Sequence, residues 1–412
     1  AYLIGRAQGL RQDTHVLFLI VGAIGIRIIG LFALPNLSDD LYRFIWDGNL
    51  SLQGINPFLQ TPKEWMQTES QLRLSTELYE NMNSPAYHTV YPPVMQGIFL
   101  ISAGLGGTSV YINTLLMKVA ILIAEVGSMY QLRILLRHFR KPASWILIYA
   151  LNPLLILEFA GNLHFEALMI FFLLLSWRWM LENKWQPASL AFALAIHTKL
   201  IPLILLPYVL LSAGRRPALR LLVTFSLLSL ILWLPFLWGE AASNFLSSLD
   251  LYFRTFEFNG SMYYVLRWLG MQIKGYNLIG SIGPVLAAAS TCIILAISWR
   301  YRDHKLHNLP LVVVASLTAH YLLSTTVHPW YITPMIAFLP FTGWTFPLAW
   351  SYLIFLSYQA YSSAAYEEEA LFLYLQYGLL LGIMAFEWWW KRKQPDESKN
   401  LLQQALRVTE EA

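Results

Sequence analysis

The sequence predicts an all-α fold, a polytopic bundle of transmembrane helices with a long first outer loop. Three observations carry this. The 412-residue chain is 57% hydrophobic and 13% charged, with a mean hydropathy of +0.49, whereas soluble domains carry about 25% charge. Apolar runs long enough for a bilayer recur from end to end. Sixteen Trp, 22 Tyr and 23 Phe supply the rings that collect at membrane interfaces. A water-soluble enzyme is excluded on these grounds. The net charge of +4 leaves no basic face for nucleic acid, and the single cysteine, Cys292, allows no intrachain disulfide.

A hydrocarbon core requires roughly 20 apolar residues per helix. Runs of this order are Thr14–Pro35, Tyr111–Leu136, Ala143–Ala160, His164–Leu181, Pro217–Trp238, Leu278–Trp299, Leu309–Val327 and Ala370–Trp390. The first is too long for a secretory leader and lacks a small-residue cleavage site, so it is expected to stay as a first helix. Pro187–Leu211 is interrupted by His197, Lys199 and Pro202, and Trp330–Ala360 by Thr342, Gly343 and Pro347. Each reads as a pair of short helices or a hairpin, because broken backbone at membrane depth is tolerated only against protein or a wet cavity.

Positive charge sets orientation. Basic clusters stand at Arg6 and Arg11, at Arg133, Arg137, Arg140 and Lys141, and at Arg215, Arg216 and Arg220. Two more stand at Arg300, Arg302 and Lys305, and at Lys391, Arg392 and Lys393. All are expected to be cytoplasmic. The segments between them are acidic, above all 36–90, where Asp39, Asp40, Asp47, Glu64, Glu69, Glu77 and Glu80 face only Arg43, Lys63 and Arg73. The two sets alternate if each broken stretch crosses twice and Pro92–Gly106 does not cross fully. The result is about 11–13 spans by the length rule, forming one membrane domain over 1–390 with a cytoplasmic tail over 391–412.

The outer loop opens with Ser38-Asp39-Asp40-Leu41-Tyr42-Arg43 and continues through Trp46-Asp47-Gly48. Its aromatic content argues against disorder, and short amphipathic helices on the membrane surface are expected. The acid pair has two readings: a solvated helix cap built on Ser38 and Asp39, or a general base for a hydroxyl, since a carboxylate in a low-dielectric rim can take a proton. The same outer side receives Asn162, His164 and Glu166 from one turn, Lys199 from the first broken stretch, and Asn259 from the second outer loop. It also receives His328, Trp330 and Tyr331. Arg27 lies in the outer half of the first helix, and intramembrane ionisable groups of this kind are costly and usually functional. Lys118 and Glu125, seven apart on one helix face, are expected to neutralise each other. His164 and Glu166 are two apart and lack the spacing of helical metal ligands. No phosphate-binding glycine loop is present, so nucleotide-sugar and ATP chemistry are disfavoured and no cofactor is expected.

The run from Ser38 through Gly54-Ile55-Asn56-Pro57 resembles the polytopic mannosyltransferases of the GT-C class, in particular bacterial alpha-mannosyltransferases that use polyprenyl-phosphate mannose. It is more loosely similar to the first mannosyltransferase of GPI-anchor assembly, whose acid-x-acid motif Asp39 matches in its first acid. Tyr42-Arg43 and Asp47 match as well, while Asp40 is displaced by one from the second acid. Tyr91-Pro92-Pro93, Asn152-Pro153, Gly161-Asn162, Lys199-Leu200-Ile201-Pro202, Phe258-Asn259-Gly260 and His328-Pro329-Trp330-Tyr331 extend the likeness along the chain. Glu166 stands where relatives often have Asp. The resemblance implies an outward-facing site, a polyprenyl-phosphate sugar donor, a lipid- or glycan-type acceptor, and a bacterial cytoplasmic (inner) membrane with the site facing the periplasm.

In that reading Asp39 or Asp40 is the general base, and Arg27, Lys199 or His328 neutralises the departing phosphate. Arg43, Asp47, Tyr91, Asn162, His164, Glu166 and Asn259 hold substrate. Trp330 and Tyr331, with Tyr91 and Trp46, either stack on sugar or act as interfacial anchors. A lipid-linked-sugar flippase or transporter is the alternative; it shares the polar groove but needs access from both faces.

Overall fold

The computed structural model describes residues 2–68, 76–362 and 367–393. Glu69, Arg73 and residues 394–412 of the tail lie outside the described residues, as do the side chains of Arg6, Arg11 and Lys305. The chain opens with α1 (Tyr2–Gly30), then α2 (Asp40–Leu52), α3 (Pro62–Thr68), α4 (Thr76–Glu80), α5 (Pro93–Gly106) and α6 (Val110–His138). A bent segment follows, made of α7 (Leu147–Ala150), α8 (Pro153–Leu155) and a π-helix at Ile156–Gly161. Then come α9 (Glu166–Leu181), α10 (Trp185–Thr198), α11 (Leu206–Ala213), α12 (Arg215–Trp233), α13 (Ala241–Arg254) and α14 (Met262–Lys274). The last elements are α15 (Ile279–Tyr301), α16 (Leu309–Leu323), α17 (Thr333–Phe338), α18 (Phe346–Leu353) and α19 (Ala370–Lys393). No strand occurs among the described residues; one isolated parallel bridge joins Phe258 to Thr326.

The architecture is that of a polytopic membrane helical bundle. Among the described residues, five helices are long and apolar enough to cross by themselves: α6, α12, α15, α16 with its preceding turn, and α19. The pair Ala143–Ala150 and Pro153–Gly161, bent by 47°, makes a sixth if taken as one span. The about twelve spans expected from the length rule therefore require the shorter pieces to cross too. Those pieces are broken where the sequence is interrupted. α10 ends at Thr198, and a 3-10 turn at Ile201–Leu205 leads into α11; the second stretch breaks between Phe341 and Phe346. Exposed apolar side chains such as Phe18, Ile29, Ile231, Val285 and Tyr374 give the bundle a surface suited to lipid.

The bundle has two poles. At one, Phe139 beyond α6 stacks with Trp177 of α9 and meets His307 and Phe341, while Lys391 of α19 donates to the Gly343 carbonyl. Basic clusters cap this end. α9 begins at Glu166 and runs 16 residues before its end at Leu181, about 24 Å at 1.5 Å per residue, so Glu166 and its neighbours lie at the other pole.

One expectation needs correction. Lys118 and Glu125 do not neutralise each other. Lys118 donates to the carbonyls of Gly30 (3.0 Å) and Ala33 (2.6 Å), capping the end of α1, while Glu125 pairs with Arg27 at 2.7 Å. The acid-bearing helix is also more enclosed by the rest of the chain than an open surface helix would be. α2 buries Leu41 and nearly all of Arg43–Leu50, and it packs on α5 through Gly48, where any Cβ would meet the Phe99 carbonyl and Ala103. Only glycine allows backbones so close.

Candidate functional site

The bend in the third apolar run explains Arg27. Pro153 has no N–H to continue the helix, and Asn152 caps the new start by accepting from the N–H groups of Leu154 (3.0 Å) and Leu155 (3.4 Å). The Ala150 carbonyl thereby loses its helical donor, and Arg27 supplies one at 2.7 Å. With Glu125 on its Nε and no exposed surface, Arg27 braces α1, α6 and the bend. Arg27, expected at the donor phosphate, thus has its guanidinium engaged within the packing.

Beyond the bend the backbone is irregular. The π-helix closes with the Asn162 N–H donating to the Leu157 carbonyl at 2.9 Å. Leu163, buried, follows at φ 66°, a left-handed conformation uncommon for a branched residue. Such local cost clusters at functional sites. It turns Glu158, Asn162 and His164 toward one another: His164 Nδ1 lies 2.6 Å from Glu158 Oε2, and Asn162 donates to the same oxygen at 3.4 Å. The approach of His164 is that of an ion pair rather than an aligned hydrogen bond.

A stack of four rings continues from His164. Its imidazole lies on Trp330 (centroids 3.8 Å, 18°), Trp330 on His328 (4.4 Å, 2°), and His328 on Phe258 (4.9 Å, 21°). Phe258 is held there by backbone, donating its N–H to Thr325 and accepting from Val327. Trp330, buried and stacked by two imidazoles, is not the open platform for sugar that the sequence suggested. Tyr331 stacks on Tyr321 at 5.8 Å, with the Lys199 ammonium 5.5 Å from its centroid.

Lys199 follows α10 with extended backbone (φ −152°, ψ 137°) and forms an ion pair with Glu166, the first residue of α9. The Lys199 side chain keeps 36% exposure, against 2% for Glu166. His328, outside the spans, is partly buried; desolvation first, then the charges of His164 and Lys199, push its pKa down to about 3. The shift favours the neutral imidazole, which makes His328 a weaker candidate than Lys199 for the phosphate-neutralising cation. Of the three cations considered, Lys199 remains.

The acid motif reaches this cluster through aromatic packing. Phe44, one turn beyond Asp40, packs on Phe165 (5.7 Å) between His164 and Glu166, and Phe99 and Tyr91 complete the group. Asp39 occupies the N-cap position of α2 without a side-chain cap hydrogen bond, and Asp40 Oδ1 accepts from Asn83 at 3.3 Å. Both carboxylates stand at the N-terminus of α2. Asp39 also adds to burial in raising the Tyr42 pKa.

Three other site candidates are built into supporting networks. Arg43 donates to Asp47 (2.8 Å) and to the carbonyls of Tyr87 and Ser84, and Asp47 accepts from Gln96 (3.0 Å), tying α2 to α5 and the 84–91 loop. Asn259, at φ 50°, donates to the Val327 carbonyl and accepts from Gln376, while its carbonyl accepts from Tyr377. It positions Phe258, its side-chain amide being engaged by Val327 and Gln376. Glu158, Phe258 and Tyr321 were missed as site residues. Glu158 was visible as an ionisable group in an apolar run, the signal used for Arg27; nothing local marked the other two. Among the described residues, no three His, Cys, Asp or Glu are grouped to hold a metal ion.

Residues 29–215 match the family described as alpha-(1->6)-mannopyranosyltransferase, N-terminal domain. Among curated proteins, the chain is similar to alpha-(1->6)-mannopyranosyltransferase B of Corynebacterium glutamicum, 28% identical over 143 residues. That alignment covers 34% of this chain and 23% of the relative. The matched family segment contains α2, the π-helix turn, Glu166 and Lys199. The likeness supports a bacterial mannosyltransferase and agrees with the resemblance read from the motifs.

Proposed function

We propose that this chain, similar over its N-terminal half to alpha-(1->6)-mannopyranosyltransferases, is an integral-membrane glycosyltransferase. It moves mannose from a polyprenyl-phosphate donor to an acceptor hydroxyl, with inversion, at the acid pole of the bundle. That pole faces the periplasm from a bacterial cytoplasmic membrane. The observation that carries the reading is the convergence of Lys199, Glu166 and the ring stack at a break between helices, joined to the acid helix by Phe44 and Phe165.

Asp39 or Asp40 takes the proton of the acceptor hydroxyl, whose oxygen attacks the anomeric carbon from the face opposite the phosphate. The bond from that carbon to the phosphate oxygen breaks, and the polyprenyl phosphate departs with the electron pair. Lys199, exposed enough to meet it, balances the added charge, as cations aimed at developing charge do. The lipid chain lies along the apolar surface while its sugar reaches the polar pole. Because phosphate leaves as a stable anion, the chemistry requires no metal.

The test is transfer by purified protein in detergent, offered radiolabelled polyprenyl-phosphate mannose or GDP-mannose with total bacterial lipids as acceptor. Label moving from the lipid donor alone, unaffected by EDTA, is the expected result. No transfer from either donor, with movement of the lipid across a reconstituted bilayer, overturns the enzyme and establishes the flippase.

A further inference from the structure

Among the described residues, several buried polar atoms left without a partner in the chain lie at or just after the π-helix turn. Glu158 Oε1, Glu166 Oε2 and His164 Nε2 are all enclosed and unmatched, on residues 0%, 2% and 4% exposed. Buried groups of this kind are ordinarily paired, and each one left over calls for an explanation. Here two of the three share a chemical character. The carboxylate oxygens can only accept. His164 Nδ1, 2.6 Å from Glu158 Oε2 without an aligned hydrogen bond, is unmatched too, so the imidazole has both ring nitrogens available to a ligand hydroxyl. A set built on two carboxylates repels phosphate and suits a ligand rich in hydroxyl donors.

We propose that Glu158, His164 and Glu166 form a subsite that reads the hydroxyls of a hexose, with Glu158 as the residue that both accepts a hydrogen bond from a sugar hydroxyl and stands against the His164 ring edge. The inference rests on the transferase reading and divides the labour of the pole: sugar at the π-helix turn, phosphate at Lys199. The irregular backbone fits this role, since π-helical turns occur most often at functional sites. The stack on Trp330 holds the imidazole plane, and Glu158 sets its edge. Around His164 the other charged or titratable groups are Glu158 at 2.6 Å, His328, and the Glu166–Lys199 pair with Tyr321 beside it.

The test uses Glu158→Gln, which keeps size and adds a donor where an acceptor stood. With polyprenyl-phosphate mannose, transfer efficiency is expected to fall at least ~100-fold, because a site built to hydrogen-bond a hydroxyl loses most when the match is broken. The informative readout is a series of mono-deoxymannose donors. One deoxy donor is expected to be poor for the wild type and to lose nothing further in Glu158→Gln, since the contact is already gone. Glu158→Asp should restore part of the efficiency. A folded Glu158→Gln protein with wild-type efficiency, or with the same deoxy penalties as wild type, overturns the subsite and leaves the transferase standing.

Saturation-transfer NMR with methyl α-mannoside tests the subsite without turnover. Sugar signals in wild type that vanish in Glu158→Gln support it even if no donor is consumed, and equal signals in both overturn it.

Discussion

Phe44 and Phe165 meet edge to face with centroids 5.7 Å apart, and this contact ties the helix that begins at Asp40 to the residue between His164 and Glu166. The two lie far apart in the chain, yet their contact sets how the candidate base faces the candidate sugar subsite. Around them Tyr91 and Phe99 fill the remaining space, so the relation is held by packing rather than by a hydrogen bond.

The acid pair is the first target. Asp39→Asn or Asp40→Asn should abolish transfer, a loss of about 10²–10⁴-fold for the residue acting as base, with expression and thermal unfolding in detergent little changed. Asp39 makes no side-chain cap hydrogen bond, and the Asp40 bond to Asn83 is exposed, so the amide variants should keep the fold. Full activity in both variants removes the pair from the mechanism.

Arg27 and Glu125 should behave as a structural pair. Arg27→Met leaves a buried carboxylate alone, which costs about 3–5 kcal/mol. Adding Glu125→Met to that variant should recover much of the loss, since no charge is then left unpaired. Thermal unfolding of the two single variants and the double variant measures the coupling, and additive losses would count against it.

His328 predicts a dependence of stability on pH. Its pKa falls from an ordinary 6.5 to about 3 on folding, so between these values the unfolded chain binds the extra proton. Its contribution therefore weakens stability progressively as pH falls from 6.5 toward 3, and vanishes as a pH effect above 6.5. His328→Gln should flatten this part of the curve, read as the difference in Tm between pH 7 and pH 4.5. An unchanged slope would show that His328 is not buried neutral.

Gly48→Ala tests the seat of α2. The added methyl would strike the Phe99 carbonyl and Ala103, and overpacking of this sort costs about 1–3 kcal/mol. Because α2 also carries the acids, transfer should fall along with Tm. Gly54→Ala, with open space at its Cβ but φ 74°, should lower Tm with little effect on transfer.

Much of this was legible in the chain. Hydropathy and charge are local, so the apolar runs, their interruptions near Lys199 and Gly343, and the basic ends could be read by eye, and the described helices break at those same places. The residue types gathered at the acid pole were legible too, because ionisable groups stand out in apolar surroundings. What the sequence by itself determined is therefore a broken helical membrane bundle and a short list of polar residues for its site. The tertiary structure decided which of them meet. Arg27 finds Glu125 98 residues away, Asn259 finds Gln376, and Glu158 comes to His164 only because a π-turn and a left-handed Leu163 fold the chain back. Each pairing depends on how helices distant in sequence pack, and packing follows from the summed shape of many side chains rather than from any local pattern.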